Sequence, residues 1–139
     1  MKVVSIFVVI FCIFALAACG GSGNTAATTQ SSDASQPDPA ADAVEAYLTA
    51  KIAGDRDQLA QLICSAMEAR LEAEVMSFSA VEATIEDMNC TSNDGGATVT
   101  CSGQIVAVYN GENRDFPLGT YSVVEEDGAW KWCGETAAE

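Results

Sequence analysis

At Phe78 the spacing of the apolar residues changes from that of a helix to that of a strand, and this one switch restricts the chain to a small set of folds. Upstream, Val44, Tyr47, Leu48 and Ile52 recur at helical intervals, the mark of an amphipathic helix. Asp38 and Pro39 suit its cap and first turn, and Gly54 its stop. Asp55 with Gln58 three residues on reads as a second start. Leu59, Leu62, Ile63, Met67, Leu71 and Val75 then continue the period. One or two helices are predicted there, with a break near Cys64 and Ser65. Leu71, Val75 and Met76 are expected to face the core, and Met67, Met76 and Met88 to act as core filler.

Downstream the pattern alternates and turn residues punctuate it. Val81, Ala83, Ile85 and Met88 belong to a first strand with an irregularity near Asp87, followed by the turn residues Asn93, Asp94, Gly95 and Gly96. A second strand covers 97–109, with Val99, Cys101, Ile105 and Ala107 on one face and Val106 and Val108 on the other. Gly103 in its middle invites a bulge. Asn110 and Gly111 form the strongest hairpin signal. A third strand is expected over about 114–125, a turn at Asp127 and Gly128, and a fourth over 129–133. Helices followed by a strand meander define an α+β fold, with N-terminal helices packed on a four-stranded antiparallel sheet. Cys90 and Cys101 lie symmetrically about Gly95 and Gly96, so a two-residue hairpin turning there sets them opposite each other. Opposed Cα atoms are roughly 4.5 to 5.5 Å apart, within disulfide range.

The first residues carry a different kind of information. Met1 and Lys2 lead into the apolar run 3–14, which ends in Leu16, Ala17, Ala18 and Cys19, the layout of a secretory signal peptide. The segment resembles the bacterial lipoprotein signal, whose Leu-Ala-Ala-Cys lipobox is cut before a cysteine that carries lipid on its sulfur. That resemblance implies that 1–18 is removed, that Cys19 is lipidated, and that the chain is held to the extracytoplasmic face of a cell membrane or envelope through that lipid. The competing reading, an uncleaved membrane helix, needs about 20 apolar residues. Residues 19–40 are small and polar with no aromatic or large aliphatic side chain, too poor in apolar surface to order themselves. They read as a flexible tether spanning roughly 25 Å, leaving 41–139 as one domain.

With Cys12 in the leader and Cys19 on lipid, Cys64, Cys90, Cys101 and Cys133 remain, an even set that in an exported chain points to disulfides. Once Cys90 is paired with Cys101, elimination joins Cys64 to Cys133, tying helix to sheet. The rival is a zinc site, but the chain has no C-x-x-C spacing and no histidine, so no metal is expected. No cofactor is expected either. The formal charge of the whole chain is -14. Lys51, Arg56, Arg70, Arg114 and Lys131 are scattered, which excludes nucleic acid as a partner. The absence of histidine removes the commonest general base without excluding Asp, Glu, Tyr or Lys.

Helices, a strand meander and the ending Trp130, Lys131, Trp132, Cys133, Gly134 resemble the nuclear transport factor 2-like, or cystatin-like, α+β cone over 38–134. The resemblance implies a curved sheet with a conical pocket, which in that superfamily serves isomerases, dehydratases, ligand binders and inert adaptors. It makes Tyr47, Tyr109, Tyr121, Trp130 and Trp132 candidates for facing a ligand, against core packing for each ring. Members resembling a ketosteroid isomerase set an Asp base beside a Tyr donor, and Asp87 and Asp115 are the acids considered for it. Three readings stay open: a non-catalytic domain that binds a protein partner or small ligand, a small lyase or isomerase using a carboxylate and a tyrosine, and an acidic cation buffer. A buried acid beside a tyrosine hydroxyl in a cavity of several hundred Å³ would favour the enzyme. A filled cone would favour a binding or structural role.

Overall fold

The computed structural model describes residues 38–136. The leader, Cys19 and most of the tether lie outside the described residues. Helix α1, Pro39–Ala53, opens two residues before the domain boundary read from composition. Asp38 caps it: one carboxylate oxygen accepts from Ala41 N at 3.1 Å, and the other from Ser92 N at 2.9 Å, fastening the helix start to the sheet. Gly54, at φ 64°, closes the helix in the left-handed conformation. Its inner stripe buries Val44, Tyr47, Leu48 and Ala50, while Ile52 is half-buried. Helix α2, Arg56–Leu62, is capped by Asp55, which accepts from Gln58 N. It ends where Ile63 turns extended and Cys64 N donates to Trp132 O at 2.8 Å. A 3-10 turn, Ser65–Arg70, and helix α3, Leu71–Met76, follow.

The sheet has five antiparallel strands: β1 Glu82–Asn93, β2 Thr98–Tyr109, β3 Glu112–Pro117, β4 Thr120–Glu126 and β5 Ala129–Glu135. Strand β2 lies between β1 on one side and both β3 and β4 on the other, and β5 pairs with β4. The four strands expected become five because the third is interrupted at Leu118 and Gly119. There Leu118 N donates to Gly103 O and Cys101 N to Gly119 O, so the chain swings past a bend in β2 and resumes along the same edge. That bend also explains the irregularity near Asp87. Asp87 and Met88 share the place opposite Gly103, and Asp87 sits at φ 52°, a bulge that curls the sheet. Gly103 has φ 101°, and a Cβ there would lie 2.5 Å from Glu86 O.

The turn is a four-residue loop, 94–97, closed by Asn93 and Thr98, and not the two-residue hairpin expected; because it is centred on the same glycines the register still sets Cys90 against Cys101, and the two are bonded with Cα atoms 4.0 Å apart. Cys64 is bonded to Cys133 across 5.2 Å, clamping the end of α2 to β5. The core lies between α1, α2 and the sheet and includes Val44, Leu48, Leu59, Ile63, Val99 and Trp132. On β2, Val99, Cys101, Ile105 and Ala107 are buried as the alternation requires. Val106 of the other face is also buried, and Val108 half-buried. One helical expectation fails. Leu71 and Val75 pack against the core, but Met76 is 62% exposed, because the inward position of α3 belongs to Glu74, only 4% exposed.

Candidate functional site

The site is assembled from four elements. Tyr47 and Lys51 are four residues apart on α1 and so share a face. Arg70 and Glu74 are spaced the same way across the 3-10 turn and α3, and Trp132 projects inward from β5. A cavity of about 460 Å³ lies between α3 and β5, with Lys51, Met67, Arg70, Glu74, Trp132 and Glu135 in its wall. A second, of about 300 Å³, shares Lys51, Ser77 and Glu135 with it and reaches Leu48, Phe116 and Tyr121. A third is an open groove at Asp38, Gly96 and Trp130. All three open toward solvent beside a filled core of Val44, Tyr47, Leu59, Ile63, Val99 and Trp132, and the largest of them adjoins the buried acid.

Glu74 is the centre of the polar network. Its Oε2 accepts from the Tyr47 hydroxyl at 2.8 Å and from Lys51 Nζ at 2.8 Å, and its Oε1 faces Arg70 Nε at 3.5 Å. Burial opposes ionisation of this carboxyl. The hydrogen bonds from Lys51 and Tyr47 and the charges of Lys51 and Arg70 outweigh that penalty and hold it below the usual carboxylate range. The Tyr47 phenol is driven the other way, first by burial and then by its bond to the Glu74 carboxylate, so it stays protonated. The Tyr47 ring stacks on Trp132 with centroids 4.1 Å apart and planes 9° from parallel. Lys51 Nζ lies 5.6 Å from the same ring's centroid. Trp132 is 2% exposed, and its indole N–H has no hydrogen-bond partner among the described residues.

Of the rings singled out from sequence, Tyr47 and Trp132 are brought together and the others are dispersed. Trp132 lines the main cavity and Tyr121 the second, where burial raises its phenol pKa and its oxygen accepts weakly from Gly119 N. Tyr47 stands behind Glu74 and Trp132, wholly buried. Trp130 borders the third groove, with its ring against Gly96. Tyr109 is half-buried on the sheet beside Phe116, with the Arg114 guanidinium 5.7 Å over its ring. Asp87 and Asp115 are exposed and stand beside none of these cavities. The acid that joins a tyrosine is Glu74, which sequence reasoning passed over. Its signal was its place in the apolar stripe of α3, between Leu71 and Val75. No three of Cys, Asp and Glu among the described residues are grouped to hold a metal ion.

What this arrangement can do follows from how its groups are occupied. The carboxylate and the phenol satisfy each other, the first made less basic and the second less acidic. That weakens Glu74 as a general base and Tyr47 as an oxyanion donor. What remains free to act outward are the other N–H groups of Lys51 and Arg70.

No protein-family model matches the sequence, and no curated protein matches it. Among solved structures the chain is similar to a crystal structure from Xanthomonas campestris pv. campestris described as that of a polyketide cyclase. The TM-score is 0.53 at 20% identity, over 68% of this chain and 89% of that one. At that identity the likeness is one of fold, helices on a curved antiparallel sheet.

Proposed function

We propose that this is a lipid-anchored extracytoplasmic domain that holds a small ligand in the cavity between α3 and β5 without chemically transforming it. The observation that carries this reading is the occupied state of Glu74. A carboxylate whose Oε2 accepts from Tyr47 and Lys51, whose Oε1 faces Arg70, and which is kept ionised at neutral pH anchors the wall of a cavity, while the cavity itself is of ligand size. No helix among the described residues is long and apolar enough to cross a membrane; the anchor in this reading is the lipid on Cys19, supported by the Leu16, Ala17, Ala18, Cys19 sequence. A protein partner at the cone's rim is an extension of the same binding role. The test is ligand-observed NMR with a set of fragment-sized acids, amides and amines. Binding with every compound recovered unchanged supports the reading, and an absence of binding overturns it. For the anchor, Cys19→Ala should abolish incorporation of a labelled fatty acid.

A second reading, a small isomerase, lyase or cyclase, is favoured by one observation: a buried carboxylate touches a tyrosine hydroxyl beside a cavity of several hundred Å³. The fold likeness to a protein described as a polyketide cyclase agrees with it. It requires Glu74 to exchange its partners for substrate. Conversion of any bound compound that Glu74→Gln abolishes would establish it.

A further inference from the structure

Strand β1 forms one edge of the sheet, and the two halves of that edge differ. Beyond the bulge, Cys90 N donates to Glu45 Oε1 at 3.2 Å and Ser92 N to Asp38 Oδ2 at 2.9 Å. Carboxylates at and near the start of α1 thus occupy the N–H groups that a further strand would use. Before the bulge, the direction of the backbone follows from β2. Tyr109 and Glu112 close the turn into β3, and Cys101 N donates to Gly119 O, so the odd-numbered residues of β2 turn their backbone groups toward β3 and β4. The even-numbered Gln104, Val106 and Val108 therefore turn theirs toward Glu86, Thr84 and Glu82 of β1. Ala83 and Ile85, between these, direct N–H and C=O away from the sheet, where the carboxylates of Asp38 and Glu45 do not extend.

An open edge is a template for pairing, and its side chains decide with what. Glu82, Thr84 and Glu86 are exposed, while Ala83 and Ile85 share the core face with their partners Ala107 and Ile105 and are half-buried. In an antiparallel pair with a second copy centred on Thr84, Glu82 of each chain would face Glu86 of the other, and like charges directly opposite destabilise a sheet. The net charge of -14 adds to that repulsion. We infer that the edge 82–86 receives an extended segment of a basic partner protein as an added strand, with Lys or Arg opposite Glu82 and Glu86 and apolar residues opposite Ala83 and Ile85. No residue of β1 lines the cavity between α3 and β5, so the inference goes beyond the ligand-holding reading and does not depend on it.

The experiment titrates the chain from Cys19 onward, labelled with 15N, with three blocked peptides, Lys-Val-Thr-Val-Lys, Glu-Val-Thr-Val-Glu and Lys-Pro-Thr-Pro-Lys. The first should shift the Ala83 and Ile85 amide cross-peaks saturably and slow their hydrogen exchange. It should bind about tenfold more tightly than the glutamate peptide, because two cross-strand charge pairs change sign. A similar margin, about tenfold, should separate it from the proline peptide, which keeps the charge and loses main-chain donors. Glu82→Lys together with Glu86→Lys, on exposed side chains, should invert the preference between the first two peptides. An unchanged preference in that variant overturns the inference. Equal binding of the proline peptide, or protection of β3 amides in place of Ala83 and Ile85, overturns it as well. No shift with any peptide overturns it too, while the ligand-holding reading is decided separately by the fragment titration.

Discussion

Replacing Glu74 by Gln removes the charge on which α3 is docked and leaves the largely buried Lys51 without its counter-charge. The magnitude lies between two limits. Exposed ion pairs contribute about 0 to 1 kcal/mol, whereas breaking a buried pair costs about 3 to 5 kcal/mol. Glu74 and Lys51 side chains are 5% and 14% exposed, near the buried limit. Lys51 also borders the 460 Å³ cavity, so its ammonium can recover hydration by turning toward it. The amide oxygen introduced by the substitution can still accept from Tyr47. We expect a loss of about 2 to 3 kcal/mol, which for a domain of this size lowers the melting temperature by roughly 10 to 20 °C.

The pH dependence makes that expectation sharper. The carboxyl is held lower in the folded protein than its ordinary value of 4.5, so its contribution is fully present above that value. It is lost as pH falls through the lower, folded value. The gap between wild type and Glu74→Gln should therefore be constant from neutral pH down to about 5.5 and close progressively in more acid solution. Thermal unfolding followed by circular dichroism at a series of pH values, with both disulfides intact, measures it. Tyr47→Phe should cost about 1 kcal/mol alone and less in the Glu74→Gln background, since the two groups are coupled. A gap under about 0.5 kcal/mol at neutral pH, or one that persists undiminished in acid, would refute the reasoning.

Three further outcomes follow from the fold. Gly103→Ala forces a Cβ to 2.5 Å from Glu86 O at φ 101° and should cost roughly 2 to 4 kcal/mol, against about 1 kcal/mol for Gly95→Ala, where φ is 69° but nothing lies within 4 Å. Urea midpoints compare them, and equal losses would remove the bulge from the explanation. Replacing Cys64 and Cys133 together by Ala should cost more than replacing Cys90 and Cys101, about 4 against about 3 kcal/mol on the chain-entropy model, because the sequence separations are 69 and 11; the reverse order in urea denaturation would show that native-state effects dominate. Met76→Gln, on a side chain 62% exposed, should change stability by less than about 0.5 kcal/mol, and a large loss on thermal unfolding would restore Met76 to the core.

Those contrasts also separate what is local from what is not. The stripe of Val44, Tyr47 and Leu48, the caps at Asp38 and Asp55 and the turn at Asn110 and Gly111 are written in adjacent residues, since helix period, cap chemistry and positive φ act within a few positions. The hairpin register that opposes Cys90 and Cys101 is equally local, because a hairpin's two arms are counted outward from its turn. Gly103 announced a bulge. Its effect on the neighbouring strand, interrupted at Leu118 and Gly119, depends on which residue of another strand lies beside it, a matter of pairing across the sheet. Met76 was assigned to the core on period alone, but α3 is too short for its period to fix its rotation.

Glu74 carries the same lesson for the site. An acid in an apolar stripe is unremarkable in sequence until Lys51 and Tyr47, from another helix, are shown to receive it. Local order thus followed from the chain's own periodicity and turn chemistry. The buried Tyr47–Glu74–Lys51 network, the stacking of Tyr47 on Trp132 and the cavity beside them were decided only in three dimensions. Charge pairing and desolvation depend on distances between residues tens of positions apart, and no spacing along the chain encodes those distances.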